Sequence, residues 1–548
     1  MRGMTLPRWI RRLSPFTQQI KCILAPLLLS FIPAIWPRKE AYCAYVVAIM
    51  AYYWISQALP IAVTAMLPVF LFPIFQVAVA KDISGVYFSD SNVLFFGSMV
   101  LAVAVEASNF HERVALRILL ITGPNPRRML LGAMVGTSVL SLFISNTATT
   151  ALMAPIICAV IRELERCRTN DVEFNAPLDH IEPHDVGNED GTLNLEGVPK
   201  ERVEIYKALL LSVCFSASAS GTIMLTATGA NIVLSGHMEE YYGAHQPITF
   251  ASWILYSLPI ALILLVILYF WLIILFIGFK SFDDSQSSTI TNLLRKKYSL
   301  LGPMRYVEKS LIFVFFGIVL LWLFRDPKVI PGWGNLFPDG YVTDGTVSIF
   351  VAMLLFFLPA ENPFTYSSIS NEPLPTIMQW KYMSKFSWST FLLLGGGYGI
   401  ARGVERSGLS QLMSNWLSNF NKVPDWAFLM LSGLMVTFLT EFSSNITTAS
   451  IFIPLMDNLA KARHANPLKF ILPITLSCSY AFVFPAGTPP NAIIFGLKAM
   501  RLIDMVKAGL VLNIFGFILT QGLTLTWGNV LFHTNSLPDW ALHNTTMA

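Results

Sequence analysis

Asparagine, serine and threonine recur at matched positions in the two halves of this chain, inside stretches that are otherwise apolar. The first half reads SNT at 145–147 and the second reads SNIT at 444–447. Each asparagine follows a glutamate, Glu106 or Glu405, by 40 residues. These side chains offer hydroxyl and amide oxygens without net charge. Such oxygens suit a hard cation such as Na⁺, and the sequence has no imidazole or thiolate cluster for a softer metal.

Each half then carries a second polar interruption that contains helix-breaking residues. The two interruptions read ATGAN at 227–231 and GTPPN at 487–491. Gly229 and the pair Pro489-Pro490 are the breakers, because proline removes a helix hydrogen bond and clashes with the preceding turn. We therefore predict two broken helices, over 205–238 and 468–498. A helix that restarts at such a break presents unpaired amide groups and the positive end of its dipole, which favour an anion.

Composition places the chain in a lipid bilayer. Of its 548 residues, 54% are hydrophobic and only 13% are charged, and the mean hydropathy is +0.58. Soluble domains usually contain about a quarter charged residues. The net charge of +4 is spread along loops, so nucleic-acid binding has no support. We expect an all-α integral membrane protein, with its first apolar segment retained as a helix. The predicted spans are 21–36, 43–58, 61–77, 88–107, 205–225, 250–278, 308–325, 346–360, 385–401, 468–486 and 506–530.

Two further apolar segments, 129–162 and 426–460, carry the polar tips in their middle. Each arm has only about 15 residues, fewer than the roughly 20 that a helix needs to cross a bilayer. We therefore predict that each segment is a re-entrant hairpin that turns back at its polar tip. Non-helical backbone in the interior of a bilayer is tolerated only inside protein or beside water, where its polar groups are satisfied. Two hairpins and two broken helices in matched halves are typical of an inverted-repeat secondary transporter with a midplane binding site, one hairpin opening to each face.

The same pattern predicts how the chain is divided. The hydrophilic insert 163–204, with twelve acidic and four basic residues, is expected to be a flexible loop. The predicted divisions are scaffold helices and a first arm over 1–128, the first half of a transport domain over 129–249, scaffold helices and a second arm over 250–425, the second half of the transport domain over 426–505, and a last helix with an extracellular tail over 506–548.

The tips contain no lysine or arginine, and this absence predicts that binding of the anion is coupled to binding of Na⁺. An anion with two or more charges would be poorly satisfied by helix dipoles alone, and bound Na⁺ would supply the missing positive charge. Serine and threonine in membrane helices can instead join helices together. The repeated spacing favours a binding site over that role. For Glu106 and Glu405, the matched positions at helix ends favour anchoring over substrate contact.

Charge bias predicts the orientation. A cytoplasmic N-terminus, segment 113–128 and loop 279–307 satisfy the positive-inside tendency. The C-terminus then falls outside the cell, where Asn544 begins an NTT glycosylation sequon. We therefore expect a multi-pass plasma-membrane protein.

The two Ser-Asn tips and TPPNA at 488–492 resemble the divalent anion/sodium symporters, the family of sodium-coupled dicarboxylate, citrate and sulfate transporters. The resemblance spans nearly the whole chain and is strongest to animal plasma-membrane di- and tricarboxylate members. It implies a homodimer in which a transport domain moves through a scaffold domain as an elevator. It also implies that Na⁺ is co-transported with a small carboxylate anion such as succinate or citrate.

The resemblance further implies the residues of each site. The first Na⁺ site would draw on Ser141, Ser145, Asn146, Thr226, Ala227 and Asn231. The second would draw on Thr440, Ser444, Asn445, Ala486 and Asn491. Substrate carboxylates would meet Asn146, Thr147, Gly229, Asn445 and Pro489.

The chain departs from the family pattern at three places. Gln57 ends a WISQ stretch where the family often has a glutamate, Ala227 replaces a glycine, and Ile446 replaces a threonine of the second tip. If the backbone at Ala227 needs a positive φ, alanine there costs about 1 kcal/mol and weakens the first cation site.

Other functions remain open to the sequence. A Na⁺-coupled sulfate symporter and a Na⁺-independent carboxylate exchanger would share the fold. A membrane enzyme is disfavoured, because all eight histidines lie in loops or near segment ends and none pairs with a nucleophile. A channel is disfavoured because hairpins that close on a midplane site suit alternating access.

Overall fold

The protein is described by a computed structural model that is mainly helical over the residues that it describes. The structure describes the chain except residues 1–15, 109, 124, 174–192, 194, 196, 244–245, 279–286, 328–330, 339, 365–373, 413–423 and 543–548. In the first half the described helices are α1 Thr17–Leu29, α2 Phe31–Ile35, α3 Lys39–Ser56, α4 Ile61–Ala65, α5 Leu67–Ile74, α6 Ala80–Gly85, α7 Asp90–Ser108, α8 Phe110–Thr122, α9 Pro126–Ser141, α10 Asn146–Glu173, α11 Lys200–Gly221 and α12 Gly229–Tyr242.

The second half repeats much of this order. Its described helices are α13 Phe250–Leu272, α14 Ser287–Leu300, α15 Tyr306–Leu323, α16 Asp344–Phe357, α17 Trp388–Ser407, α18 Asp425–Leu439, α19 Asn445–Ala462, α20 Pro467–Ser479, α21 Pro489–Gly496, α22 Leu502–Leu523, α23 Asn529–Phe532 and α24 Asp539–Leu542. Short π-helical turns extend α13 over Ile273–Ile277 and α22 over Thr524–Gly528.

Six helical segments in the described part of the chain are long and apolar enough to cross a membrane. The most apolar is Phe250–Ile277, with a mean hydropathy of 3.3. Since a helix needs about 20 apolar residues to span a bilayer, these segments support the prediction of a multi-pass membrane protein. The other five are Gln18–Ile35, Ala80–Ser108, Lys200–Gly221, Tyr306–Leu323 and Leu502–Phe532.

The helices of the two halves interlock around the polar interruptions. Within each half, helices that flank the polar tip pack against the helix before the second interruption: α9 against α11, and α18 and α19 against α20. Between the halves, α12 packs on α19 and α10 packs on α21. The helix that follows each tip therefore contacts the helix that follows the second interruption of the opposite half, and all four polar interruptions are brought into one region.

Helices further from the interruptions form a separate close-packed pair. A Cβ built on Gly97 in α7 would lie 2.5 Å from the backbone of Ser348 in α16, which is closer than any real side-chain contact. Only glycine allows α7 and α16 to approach so closely. A second close approach occurs at the start of α16, where Gly345 lies against Asp90.

Several predicted boundaries were wrong. The segment predicted to span at 61–77 is two short helices, α4 and α5, with Pro68 and Pro73 in the second. The insert predicted as a loop over 163–204 is helical at both ends, because α10 continues to Glu173 and α11 already begins at Lys200. Polar residues extend these helices beyond the apolar stretch, since hydropathy marks the lipid-facing length and not where a helix ends.

Candidate functional site

The first polar tip is the short link between α9 and α10. Ser141, the last residue of α9, places its hydroxyl 2.9 Å from Asn146 Oδ1 and 2.8 Å from the carbonyl oxygen of Ala217. Asn146 is the first residue of α10. A Cβ on Gly221 would lie 2.0 Å from Asn146 Oδ1, so the end of α11 must be glycine for the tip to approach it.

The second tip repeats this arrangement with threonine in place of serine. The Thr440 hydroxyl lies 3.0 Å from Asn445 Oδ1 and 2.6 Å from the carbonyl oxygen of Cys478. Asn445 is likewise the first residue of its helix, α19. Both tips therefore have the same connection. The hydroxyl at the end of the helix before the tip contacts the asparagine that begins the helix after it, and it also contacts a carbonyl oxygen of α11 or α20 in the same half.

The junctions of the broken helices are organised by a second matched pair of asparagines. The Asn231 amide nitrogen donates to the carbonyl oxygens of Thr222 and Met224, at 3.1 and 3.0 Å. The Asn491 amide nitrogen donates to those of Ala481 and Phe484, at 3.0 and 3.1 Å. Both side chains are buried. Each asparagine thus holds the unwound stretch before its helix in a fixed loop.

The amide oxygens of these two asparagines are the most informative atoms of the site. Asn231 Oδ1 and Asn491 Oδ1 are buried, and neither accepts a hydrogen bond within the described structure. A buried polar atom without a partner is costly, and most such atoms in proteins are paired. Two such oxygens at matched positions have the chemistry of ligands for a hard cation.

The remaining predicted residues surround these pairs. Ser145 Oγ accepts from the Ala148 amide at 3.4 Å, at the start of α10. Ser444 is the residue before α19, and Thr226 and Ala227 lie in the loop before α12. The exposed predicted residues are Thr147, Ala486 and Pro489.

The departure at Ala227 does not strain the backbone. The described non-glycine residues with positive φ are Gln57, Gln76, His464, Lys498 and His533. Ala227 is not among them, so the predicted cost of about 1 kcal/mol for alanine does not apply. Gln57, another departure from the family pattern, has a φ of 50° at the end of α3.

The two halves meet directly between the tips. A Cβ on Gly229 would lie 2.3 Å from Ile446 Cγ1, so the start of α12 packs against the side chain of the second tip. Near this contact, Thr228 Oγ1 lies 3.4 Å from Ser479 Oγ. Ile446 therefore fills the space between the halves where a threonine would have placed a hydroxyl.

Other residues that hold the loops carried no distinctive pattern in the sequence. The Glu441 carboxylate accepts the amide groups of Val483 and Phe484, at 3.0 and 2.9 Å, and the Asn513 side chain at 2.5 Å. The Trp253 indole of α13 donates to the carbonyl oxygen of Thr222, in the loop before α12, at 3.0 Å. Only the position of Glu441 beside the tip could have indicated this role.

The matched glutamates lie outside the site. Glu106 Oε1 is 2.9 Å from Lys385 Nζ, and Glu405 Oε2 is 3.2 Å from Arg402 Nη1. The first ion pair links α7 to Lys385 and the second lies within α17, so the anchoring role stays a prediction. The four interruptions at 141–147, 222–231, 440–447 and 480–491 contain no lysine or arginine and one acidic residue, Glu441.

Comparisons with known proteins identify the family of the chain. Residues 14–534 match the family described as the sodium:sulfate symporter transmembrane region. The chain is 37% identical to the Na(+)/citrate cotransporter of Rattus norvegicus, over 96% of this chain and 97% of the relative. It is 38% identical to solute carrier family 13 member 2 of Homo sapiens, over 95% and 94% of the two chains.

Two further matches extend the comparison. The chain is 34% identical to Na(+)/dicarboxylate cotransporter 3 of Rattus norvegicus, over 95% of this chain and 93% of the relative. The solved structure of MtrF from Neisseria gonorrhoeae, described as an antimetabolite efflux pump, shares the fold with a TM-score of 0.52 at 11% identity, over 94% and 98% of the two chains. The chain therefore belongs to the sodium:sulfate symporter family of membrane transporters, as its two Ser-Asn tips and TPPNA segment indicated.

Proposed function

We propose that this protein is a secondary active transporter that carries a small di- or tricarboxylate across the plasma membrane together with Na⁺. The observation that carries the proposal is the matched pair of buried, unpartnered amide oxygens of Asn231 and Asn491. The relatives named as sodium/citrate and sodium/dicarboxylate cotransporters support the same ion and substrate class.

Each cation site would be built from one tip and one loop. Around the first, Asn231 Oδ1 combines with the Asn146 amide and the hydroxyls of Ser141 and Ser145. A hydroxyl has a single hydrogen, so Ser141 cannot donate fully to both Asn146 and the carbonyl of Ala217. If the side-chain amide of Asn146 is flipped, so that its oxygen and nitrogen exchange places, its NH₂ group donates to the Ser141 hydroxyl and its oxygen faces the cation.

The second cation site would follow the same logic with Thr440, Ser444, Asn445 and Asn491. The loop residues Thr226 and Ala227 in one half, and Ala486 in the other, would contribute backbone carbonyl oxygens. All of these ligands are uncharged, so the charge of each bound Na⁺ is not cancelled by its own ligands.

The substrate would lie between the two asparagine tips. The amide groups at the start of α12, from Gly229 onward, favour a carboxylate. Pro489 and Pro490 lack an N–H, so α21 offers fewer donors and an apolar surface to the carbon chain. The amide groups of Asn146 and Asn445 and the Thr147 hydroxyl would bind the remaining oxygens.

Movement would proceed by alternating access. The hairpins and broken helices would form a transport domain that moves as an elevator past scaffold helices such as α7 and α16, in a homodimer. The packing of α10 on α21 and of α12 on α19 supports this, because it joins the four interruptions into one body.

Transport is expected to be driven by Na⁺ and to carry net positive charge inward. If the Na⁺ charge exceeds the substrate charge, an inside-negative potential of about 100 mV contributes about 2.3 kcal/mol per net charge. Uptake of labelled succinate, citrate and sulfate into vesicles, with Na⁺ or choline outside and the potential clamped, would measure this. Equal uptake in choline and in Na⁺, or uptake that does not respond to voltage, would instead favour a Na⁺-independent exchanger. Greater uptake of sulfate than of the carboxylates would favour a sulfate symporter.

The orientation gives a separate expected result. An epitope placed at the C-terminus should be accessible to antibody on intact cells, and the sequon at Asn544, which lies outside the described residues, should accept glycan at least in part. Asn445 also fits the sequon pattern but should stay unmodified, because it is half-buried at the start of α19. An epitope detected only after permeabilisation would place the C-terminus in the cytoplasm.

A further inference from the structure

Asp457 is a buried carboxylate that the binding site does not use. Its side chain is 1% exposed, in α19, and its Oδ2 lies 2.9 Å from Lys461 Nζ and 3.0 Å from His237 Nε2. Its Oδ1 accepts from the Tyr242 hydroxyl. We call these four side chains the Asp457 network. It lies about 18 Å along α19 from Asn445, given a rise of about 1.5 Å per residue.

The network joins two helices whose N-terminal ends belong to different sites. His237 and Tyr242 lie on α12, which begins at Gly229 and carries Asn231. Asp457 lies on α19, which begins at Asn445. At those N-terminal ends the contact between α12 and α19 is the packing of Gly229 against Ile446, which is apolar and has no directional preference. The network supplies directional contacts that fix how one helix is rotated against the other.

The network also extends to a third helix. Lys461 Nζ lies 5.1 and 5.3 Å from the ring centres of Tyr241 and Tyr242. The Tyr241 hydroxyl donates to the carbonyl oxygen of Ala401 in α17 at 3.0 Å, and its ring lies 4.5 Å from that of His237. The carboxylate is thus held on several sides, and its position is fixed relative to α12, α17 and α19.

The other half of the repeat lacks this feature. The spacing that matches Asn146 with Asn445 and Asn231 with Asn491 places Cys158 opposite Asp457 and Leu497 opposite His237. There α10 packs on α21 as α12 packs on α19. The two matched positions of the first half are therefore both apolar, and Leu497 directly follows the end of α21. Since apolar replacements of buried ion pairs are often neutral or stabilising, folding stability alone does not explain the charged version.

We propose that Asp457 is a positioning residue that couples the two cation sites. By holding α12 and α19 in one register, it makes the loop of Asn231 and the tip of Asn445 adopt their binding geometry together. This inference rests on the proposed function, because the two asparagines belong to different Na⁺ sites. It predicts that cooperativity between bound Na⁺ ions depends on a residue that touches neither ion.

The test is uptake by Asp457→Asn, measured against Na⁺ and substrate concentration and normalised to surface protein by biotinylation. This change keeps the shape of the side chain but removes its charge. We expect the half-saturating concentrations of Na⁺ and substrate to rise about ten-fold, within the range for coupling through packed networks. The Hill coefficient for Na⁺ should fall toward one, which a purely structural role would not produce.

A double variant separates the proposed positioning role from a simple loss of folding. His237→Leu with Asp457→Cys copies the apolar pair of the first half, and Lys461, whose side chain is 36% exposed, can then turn to water. We expect normal surface expression with affinities and Hill coefficient still lowered. Tyr242→Phe, which removes a single hydrogen bond, should show the same change to a smaller degree.

Glu106→Gln is the matched control, since it breaks a surface ion pair with Lys385 that involves no residue of α12 or α19 and should leave uptake unchanged. Unaltered half-saturation and Hill coefficient in Asp457→Asn and in the double variant would overturn the inference and leave the proposed function intact. A wild-type protein without Na⁺-dependent uptake would instead overturn the proposed function.

Discussion

Replacing Asn146 or Asn445 with alanine is expected to lower the apparent affinity for both Na⁺ and substrate about ten- to hundred-fold. Each change removes a ligand and leaves neighbouring polar groups unpaired at a cost of about 1–3 kcal/mol, and every 1.4 kcal/mol is about ten-fold in affinity. Folding should be affected less, because the Ser141 and Thr440 hydroxyls keep the carbonyls of Ala217 and Cys478 as partners.

The same positions allow a sharper distinction with aspartate. Asn→Asp at either tip keeps an oxygen for the cation but places a negative charge beside the anion. The half-saturating substrate concentration should therefore rise more than that of Na⁺. Saturation curves for both ligands, in cells with surface protein quantified, would measure the two effects separately.

Ser108 and Ser407 provide the controls. They are repeat-matched but outside the tips, and each hydroxyl bonds a carbonyl of its own helix, Val105 or Val404. Alanine at either position should leave both affinities unchanged. If Asn146→Ala and Asn445→Ala also reach the surface with unaltered carboxylate uptake, the tips only join helices and the site assignment is wrong.

Gly229→Ala should reduce transport by a comparable factor for a steric reason. The added Cβ would lie 2.3 Å from Ile446 Cγ1 and 2.4 Å from its Cδ1, so α12 or the second tip must shift. Overpacking of this kind costs about 1–3 kcal/mol, which corresponds to about a ten- to hundred-fold loss in affinity if the displaced groups are the substrate ligands. Substrate saturation at fixed Na⁺ would measure it.

The double variant Gly229→Ala with Ile446→Ala tests that explanation. It removes both colliding carbons and leaves Ile446 Cβ, which lies at an ordinary 3.6 Å from the new methyl. Recovery of most of the lost affinity is expected, with Ile446→Ala alone as the reference. A double variant as impaired as Gly229→Ala would show that glycine is needed at this position for another reason.

The sequence alone determined the fold class and the family, because both depend on local patterns. A long apolar segment in a bilayer has to be helical, since every backbone polar group must be hydrogen-bonded within its own segment. The tips of Asn146 and Asn445 and the breaks at Gly229 and Pro489 were visible for the same reason. Proline, glycine and uncharged polar residues are conspicuous inside apolar stretches.

Helix ends were less well determined. Hydropathy placed the end of α10 near residue 162, whereas the helix continues to Glu173. The cost suggested for Ala227 was also absent, because positive φ depends on the path of the loop and not on the residue type. Both features depend on surroundings that a single segment does not encode.

Only the tertiary structure decided which groups meet. The NH₂ groups of Asn231 and Asn491 donate to carbonyl oxygens of the loops, which leaves their amide oxygens free. This arrangement follows from how the chain turns back after α11 and α20. The contacts of Glu441 with Val483 and of Asp457 with His237 join residues 42 and 220 positions apart. Such pairs have no periodicity for a sequence pattern to record, because they arise only when segments distant along the chain pack together.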